Sequence, residues 1–261
     1  MIQFDIYRFT KLARWTLTID KKYHVKSFFQ NLVVFTLVFV FFTSITFTVN
    51  RQAANYVPCS IATIVAFAVT LVLGSSFMFY SMSGKHDMQS LLMLPASNLE
   101  KYLVRYASWI ILEPIQLVAF FAADLIQYVF GLAVGHEGVR FVTSATIEYV
   151  ERTWYMMQIP EDAQQAWIAG VVFSAVWVHS CYALGATFFR SHKYNWVLTS
   201  AVLVFAFMLL MIVFGWGTVG AAWWNNRYLF SLLMLLLVVL NFWLSYRLFC
   251  RAQVIGRFVN L

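Results

Sequence analysis

The run VVFTLVFVFFTSITFTV fills residues 33–49 and carries no charge. In water its Val, Phe and Thr content would favour a strand. Its length argues for a helix instead, because about 20 apolar residues cross a bilayer in that form. A lone strand in hydrocarbon leaves its backbone N–H and C=O groups unpaired, whereas a helix satisfies them within the segment. A transmembrane barrel needs short segments of alternating polarity, and this run does not alternate. The stretch predicts a membrane helix, and the fold class that follows is an all-α membrane protein.

The whole chain reads the same way. Of 261 residues, 62% are hydrophobic and 11% are charged, against about 25% charged in soluble domains. Six transmembrane helices are expected, near Asn31–Val49, Ser60–Tyr80, Val104–Ala133, Ala166–Phe189, Trp196–Trp216 and Tyr228–Phe249. They form one transmembrane domain over 1–261: an N-terminal segment 1–30, a six-helix membrane region 31–249 and a tail 250–261. The first apolar run is of full span length and follows about thirty mixed residues, so it is expected to be retained rather than cleaved.

Lys and Arg set the expected orientation. Fourteen of the 18 basic residues fall on one side of these spans and four, Arg51, Arg140, Arg152 and Arg227, on the other. Both termini and the loop between the second and third spans are therefore expected in the cytoplasm. The net charge of +7 marks topology, and no segment remains outside the membrane to bind nucleic acid. Cys59, Cys181 and Cys250 lack metal-ligand spacing. With Cys59 in an outside loop, no disulfide within the chain is expected.

Ile2, Ile6, Phe9, Ala13 and Leu17 recur at helical spacing opposite Asp5, Arg8, Lys11 and Arg14, predicting an amphipathic N-terminal interfacial helix. The alternative is a plain basic tail. Outside, the long loop Val134–Gln165 mixes acidic and aromatic residues and predicts a short interfacial helix ending before Pro160.

The segment LMLPASNLEKYLVR, residues 92–105, is the most ordered of the loops. Pro95 stops the preceding helix. Ser97 and Glu100 then form the S-x-x-E capping box that starts the third span. Before the proline, Lys85, His86, Asp87 and Gln89 give a polar side, and Leu91, Leu92 and Leu94 an apolar one. A short helix, a stop and a capped start make a rigid cytoplasmic protrusion suited to passing force to a partner. A mere tight re-entry turn is the plainer alternative.

On these residues the chain resembles permease subunits of ABC transporters of the type-two exporter class. Pro95, Ala96, Ser97, Glu100 and Arg105 follow the family's order in this loop. The six spans and the inside termini follow its layout. Gln89 and Ser90 stand where the family has a glycine–threonine step, and the long outside loop Val134–Gln165 is unusual. The resemblance implies a cytoplasmic coupling helix at Lys85–Leu94 that docks into a separate ABC ATPase subunit. It also implies a bacterial inner membrane as the location, a second permease copy or paralogue, and ATP and Mg held by the partner. This chain itself has no G-x-x-x-x-G-K-[ST] phosphate loop, so it is expected to be no enzyme and to bind no cofactor of its own.

Within the third span, Glu113, Gln116, Asp124 and Gln127 share an arc of about 80°. Glu113 and Asp124 lie about 16 Å apart along the axis and cannot pair. Charges at this depth normally face the interior, so the stripe predicts a hydrated pathway or subunit seam. Interhelical hydrogen bonding is the alternative for Gln116, Gln127 and Asn241, and a satisfied buried histidine is the expectation for His179. An ion-coupled secondary transporter using Glu113 and Asp124, and a membrane scaffold or sensor, are the rival functions.

Overall fold

The computed structural model describes residues 4–45, 55–79, 90–91, 93–136, 138–189, 194–225 and 227–251. Among them every regular element is helical. In chain order these are α1 (Ile6–Val40, continued by a π-helical turn Phe41–Ile45), α2 (Val57–Leu73, continued by a 3₁₀ turn Gly74–Phe77), α3 (Asn98–Ala107), α4 (Leu112–Ala133), α5 (Val142–Met156), α6 (Glu161–Phe188), α7 (Asn195–Asn225) and α8 (Arg227–Cys250).

Five helical stretches are long and apolar enough to cross a membrane: Ile6–Ile45, Val57–Phe77, Asn98–Ala133, Ala163–Phe188 and Leu229–Cys250. They hold five of the six expected spans. The remaining one falls in α7, whose apolar part among the described residues is Asn195–Leu209.

α1 joins two segments that the sequence reading keeps apart. It runs unbroken through residue 30, so the N-terminal segment and the first span are one rod. Its 35 residues extend about 52 Å, well beyond a hydrocarbon core of about 30 Å. Another face of it packs on the protein. Leu12, Thr16 and Asp20 are buried, while Ile6 is 73% and Leu17 43% exposed. Leu12 packs with Ala96 and Val104, flanked by Phe9 and Ala13.

The third span is not continuous either. α3 ends at Ala107 and α4 begins at Leu112. Pro114 sits in the first turn of α4, where its missing N–H costs no intrahelical bond, and its ring is incompatible with a helical carbonyl four residues earlier. The sequence places a bend at this proline; the chain makes a full break one turn before it.

The chain divides into two compact units. One comprises Met1–Ile19, Leu71–Trp109 and Pro160–Leu261. Its cores gather Met78, Phe79, Leu91, Tyr102, Ala186 and Phe249, and separately Leu12, Ala96 and Val104. The other comprises Asp20–Thr70 and Ile110–Ile159 and is built on aromatic packing. The ring of Phe120 meets Phe35, Phe39 and Phe67 edge-on at 5.8–6.2 Å, an arrangement that the aromatic quadrupole favours. Cys59 belongs to this core, inside α2 and fully buried, rather than in a loop as its sequence position suggests. Cys59, Cys181 and Cys250 are all free thiols.

α4 ends in a Schellman motif. The His136 N–H donates to the Gly131 carbonyl, the Gly135 N–H to that of Leu132, and Gly135 takes the positive φ of 74° that the motif needs. In the first unit, α6 and α7 approach through Gly185. A Cβ there would collide with the Thr199 side chain, in the manner of small-residue contacts between membrane helices. Gly185→Ala is therefore expected to lower the melting temperature in detergent, by about 1–3 kcal/mol of overpacking, although alanine is the better helix former by about 1 kcal/mol. An unchanged or raised melting temperature would show that this contact is not tight.

Candidate functional site

α3 begins as the sequence predicts. Ser97 is extended (φ −67°, ψ 153°), and its Oγ accepts the Glu100 N–H at 3.2 Å. Glu100 Oε2 accepts the Ser97 N–H in return at 2.8 Å. The capping box is complete.

The second oxygen of Glu100 does what local sequence could not reveal. Oε1 accepts the backbone N–H of Asp5 at 2.6 Å and the Arg8 guanidinium Nη2 at 3.0 Å. Asp5 precedes α1, and its own Oδ1 accepts the Tyr7 N–H at 2.8 Å, as an N-capping carboxylate does. One carboxylate with 0% exposure thus joins the starts of two helices 95 residues apart. Burying a carboxylate is costly unless charge and hydrogen bonds compensate it, and here two backbone amides and a guanidinium do so. Arg8 and Leu12, one turn apart, both turn toward the 94–104 segment.

Two further bonds fix α3. Arg105 is 1% exposed, and its Nε donates to the Met78 carbonyl at 2.9 Å, just beyond the 3₁₀ turn of α2. The Tyr102 hydroxyl donates to Ser245 Oγ of α8 at 3.0 Å. A ten-residue helix is thereby bonded to α1, to the end of α2 and to α8.

Of the expected coupling residues, Lys85, His86, Asp87, Gln89 and Leu92 lie outside the described residues. Leu91 is fully buried with Met78, Phe79 and Tyr102, so it anchors the segment. Pro95 is exposed. The backbone is helical at Ser90, Leu91 and Met93, and Leu94 bonds back to Leu91 through its N–H at 3.3 Å, consistent with a short helix ending at the proline.

The polar stripe lies on the packed face of α4. Gln116, Asp124 and Gln127 are buried, while Val118 and Leu125 are exposed. Gln116 Oε1 accepts from the Thr70 hydroxyl of α2 at 2.5 Å. Asp124, 2% exposed, accepts three hydrogen bonds from the start of α5: Val142 N–H at 2.6 Å, Thr143 N–H at 3.0 Å and the Thr143 hydroxyl at 2.7 Å. The N-cap residue of α5, Phe141, has no side chain able to cap. Asp124 supplies the cap from another helix, and it meets the positive end of the α5 dipole. Gln127 has 0% exposure, and neither amide atom has a hydrogen-bond partner among the described residues. Glu113 is half-buried, with Oε1 likewise unpartnered.

Two other polar residues sit as expected. His179 Nδ1 meets the Leu71 carbonyl at 2.6 Å and Nε2 the Tyr106 hydroxyl at 2.9 Å. The carbonyl can only accept, so Nδ1 carries the proton and Nε2 accepts from the tyrosine. Asn241 Nδ2 donates to Ser180 Oγ at 2.9 Å, an interhelical bond. No cluster of three or more His, Cys, Asp or Glu suited to a metal occurs among the described residues. What the arrangement shows is a set of helix starts held by buried carboxylates.

No family model matches the chain, and neither a curated protein nor a solved structure is significantly similar to it.

The geometry orders the effects of substitution. Ser97→Ala removes one cap bond, about 1 kcal/mol. Glu100→Ala removes the rest of the box together with the ties to Asp5 and Arg8, and it is expected to cost about 2–4 kcal/mol, measured by unfolding in detergent. Equal losses would mean that the α1 contacts add nothing. For the second carboxylate, Asp124→Ala and Thr143→Val should be coupled by about 1–2 kcal/mol in a double-mutant cycle. Additive losses would separate Asp124 from the α5 start.

Proposed function

We propose that this chain is the membrane permease subunit of an ATP-driven ABC exporter. In this reading six transmembrane helices, both termini and the 80–97 loop inside, lie in a bacterial inner membrane. A separate ABC ATPase binds ATP and Mg and docks on the segment Lys85–Leu94. A second permease copy or paralogue completes the pathway. The observation that carries the proposal is the bonding of α3: the segment that follows the docking loop is tied by Glu100 to α1 and by Arg105 to the end of α2. A push on residues 85–94 would be delivered to those helices as displacement rather than absorbed in a flexible linker. Leu91, buried among Met78, Phe79 and Tyr102, gives the loop its grip on that assembly.

An ion-coupled secondary transporter is the second reading. Glu113, with one carboxylate oxygen unpartnered, favours it. Asp124 speaks against it as a proton or cation site, because three hydrogen bonds already occupy its oxygens.

Purification of the full chain from native membranes separates the two. An ABC ATPase should accompany it, and Lys85→Ala with Asp87→Ala should cut that co-purification at least fivefold while the level of the chain in the membrane stays unchanged. Undiminished co-purification, or transport driven by a proton gradient without ATP, would contradict the exporter reading.

A further inference from the structure

We infer that the groove between α1 and α4 is a binding site for an anionic phospholipid, with one acyl chain in the groove and its headgroup on Lys21 and Lys22. The groove holds about 450 Å³ and is lined by His24, Val25, Phe28 and Phe29 of α1 and by Pro114, Ile115 and Val118 of α4. The surface it presents is apolar, which suits a hydrocarbon chain. The start of α4 shapes it, since Pro114 ends the preceding turn and leaves α4 to begin beside α1.

Charge complementarity selects the kind of lipid. At about 100° per residue, Lys21 and Lys22 fall within the same arc of about 120° as Val25, Phe28 and Phe29, one turn nearer the N-terminus. Both are exposed, as is Lys26, and none of the three makes an ion pair among the described residues. The neighbouring carboxylate of Asp20 belongs to a buried residue, 2% exposed, and Glu113 is not among the groove's lining residues. The groove therefore has an apolar trough running toward the span and two unneutralised cations at its polar end. That is the layout of a phospholipid with a net negative headgroup, and juxtamembrane lysines attract such lipids. The inference rests on the chain being a membrane protein and is independent of what powers or crosses it.

Native mass spectrometry of the purified full-length chain tests it. The probes are phosphatidylglycerol and phosphatidylcholine of identical acyl chains, supplied in equal amounts. The wild-type chain should retain phosphatidylglycerol preferentially. Lys21→Gln with Lys22→Gln should weaken that retention about fivefold per lysine, while Lys11→Gln with Arg14→Gln, an equal change of charge away from the groove, should leave it unchanged. Val118→Trp, which fills the trough, should lower retention of both lipids. Phe29→Ala, which removes a wall without adding bulk, should do the same, with circular dichroism confirming helicity in each variant. No preference in the wild type, equal loss in the two charge pairs, or retention indifferent to both groove variants would overturn the site.

Discussion

The buried carboxylate of Glu100 is the interaction on which the first unit depends. A helix start exposes four N–H groups without partners, and inside a membrane protein water is a scarce acceptor for them. Glu100 serves its own helix through Ser97 and the α1 start through Asp5, and it gains Arg8 as a counter-charge. The same group therefore defines where the third span begins and where the N-terminal rod docks. The placement of Leu12 against Ala96 and Val104 follows from that anchor.

The second unit uses the same chemistry with a different donor. Asp124 sits in the middle of α4, yet its oxygens face the first amides of α5. A carboxylate in a membrane helix is expensive when unsolvated, and a helix N-terminus is among the few partners that can offset the expense without a cation. In both units a buried acid replaces a missing local cap or reinforces one. Under the proposed function, this anchoring of helix starts is what would let the 85–97 segment act as a lever.

Much of this was legible in the sequence. The uncharged length of residues 33–49 decided for helix, and the S-x-x-E spacing located the α3 start to the residue, because both signals are local. The helix before Pro160 was also anticipated, from acidic and aromatic residues interrupted by a proline. What failed to show were long-range choices. Hydrophobic spacing gives α1 an apolar stripe for the membrane surface, but it does not reveal that Arg8 bonds an acid 92 positions away. The four polar residues of α4 share a face, as read, but their partners sit on α2 and α5, and nothing in the local pattern names Thr70 or Thr143. A bend was visible at Pro114; that the chain makes a turn at Ser108–Ile111, just before it, was not.

Amide hydrogen exchange on the native chain tests the central claim most directly. If one carboxylate holds both helix starts, the N–H groups of Asp5 and Ser97 should be protected to the same degree and lose protection together in Glu100→Gln, with Tyr7 following Asp5. Protection of Asp5 that survives Glu100→Gln, or exchange at the two sites that varies independently, would show that α1 and α3 are held separately and would remove the basis for a rigid lever.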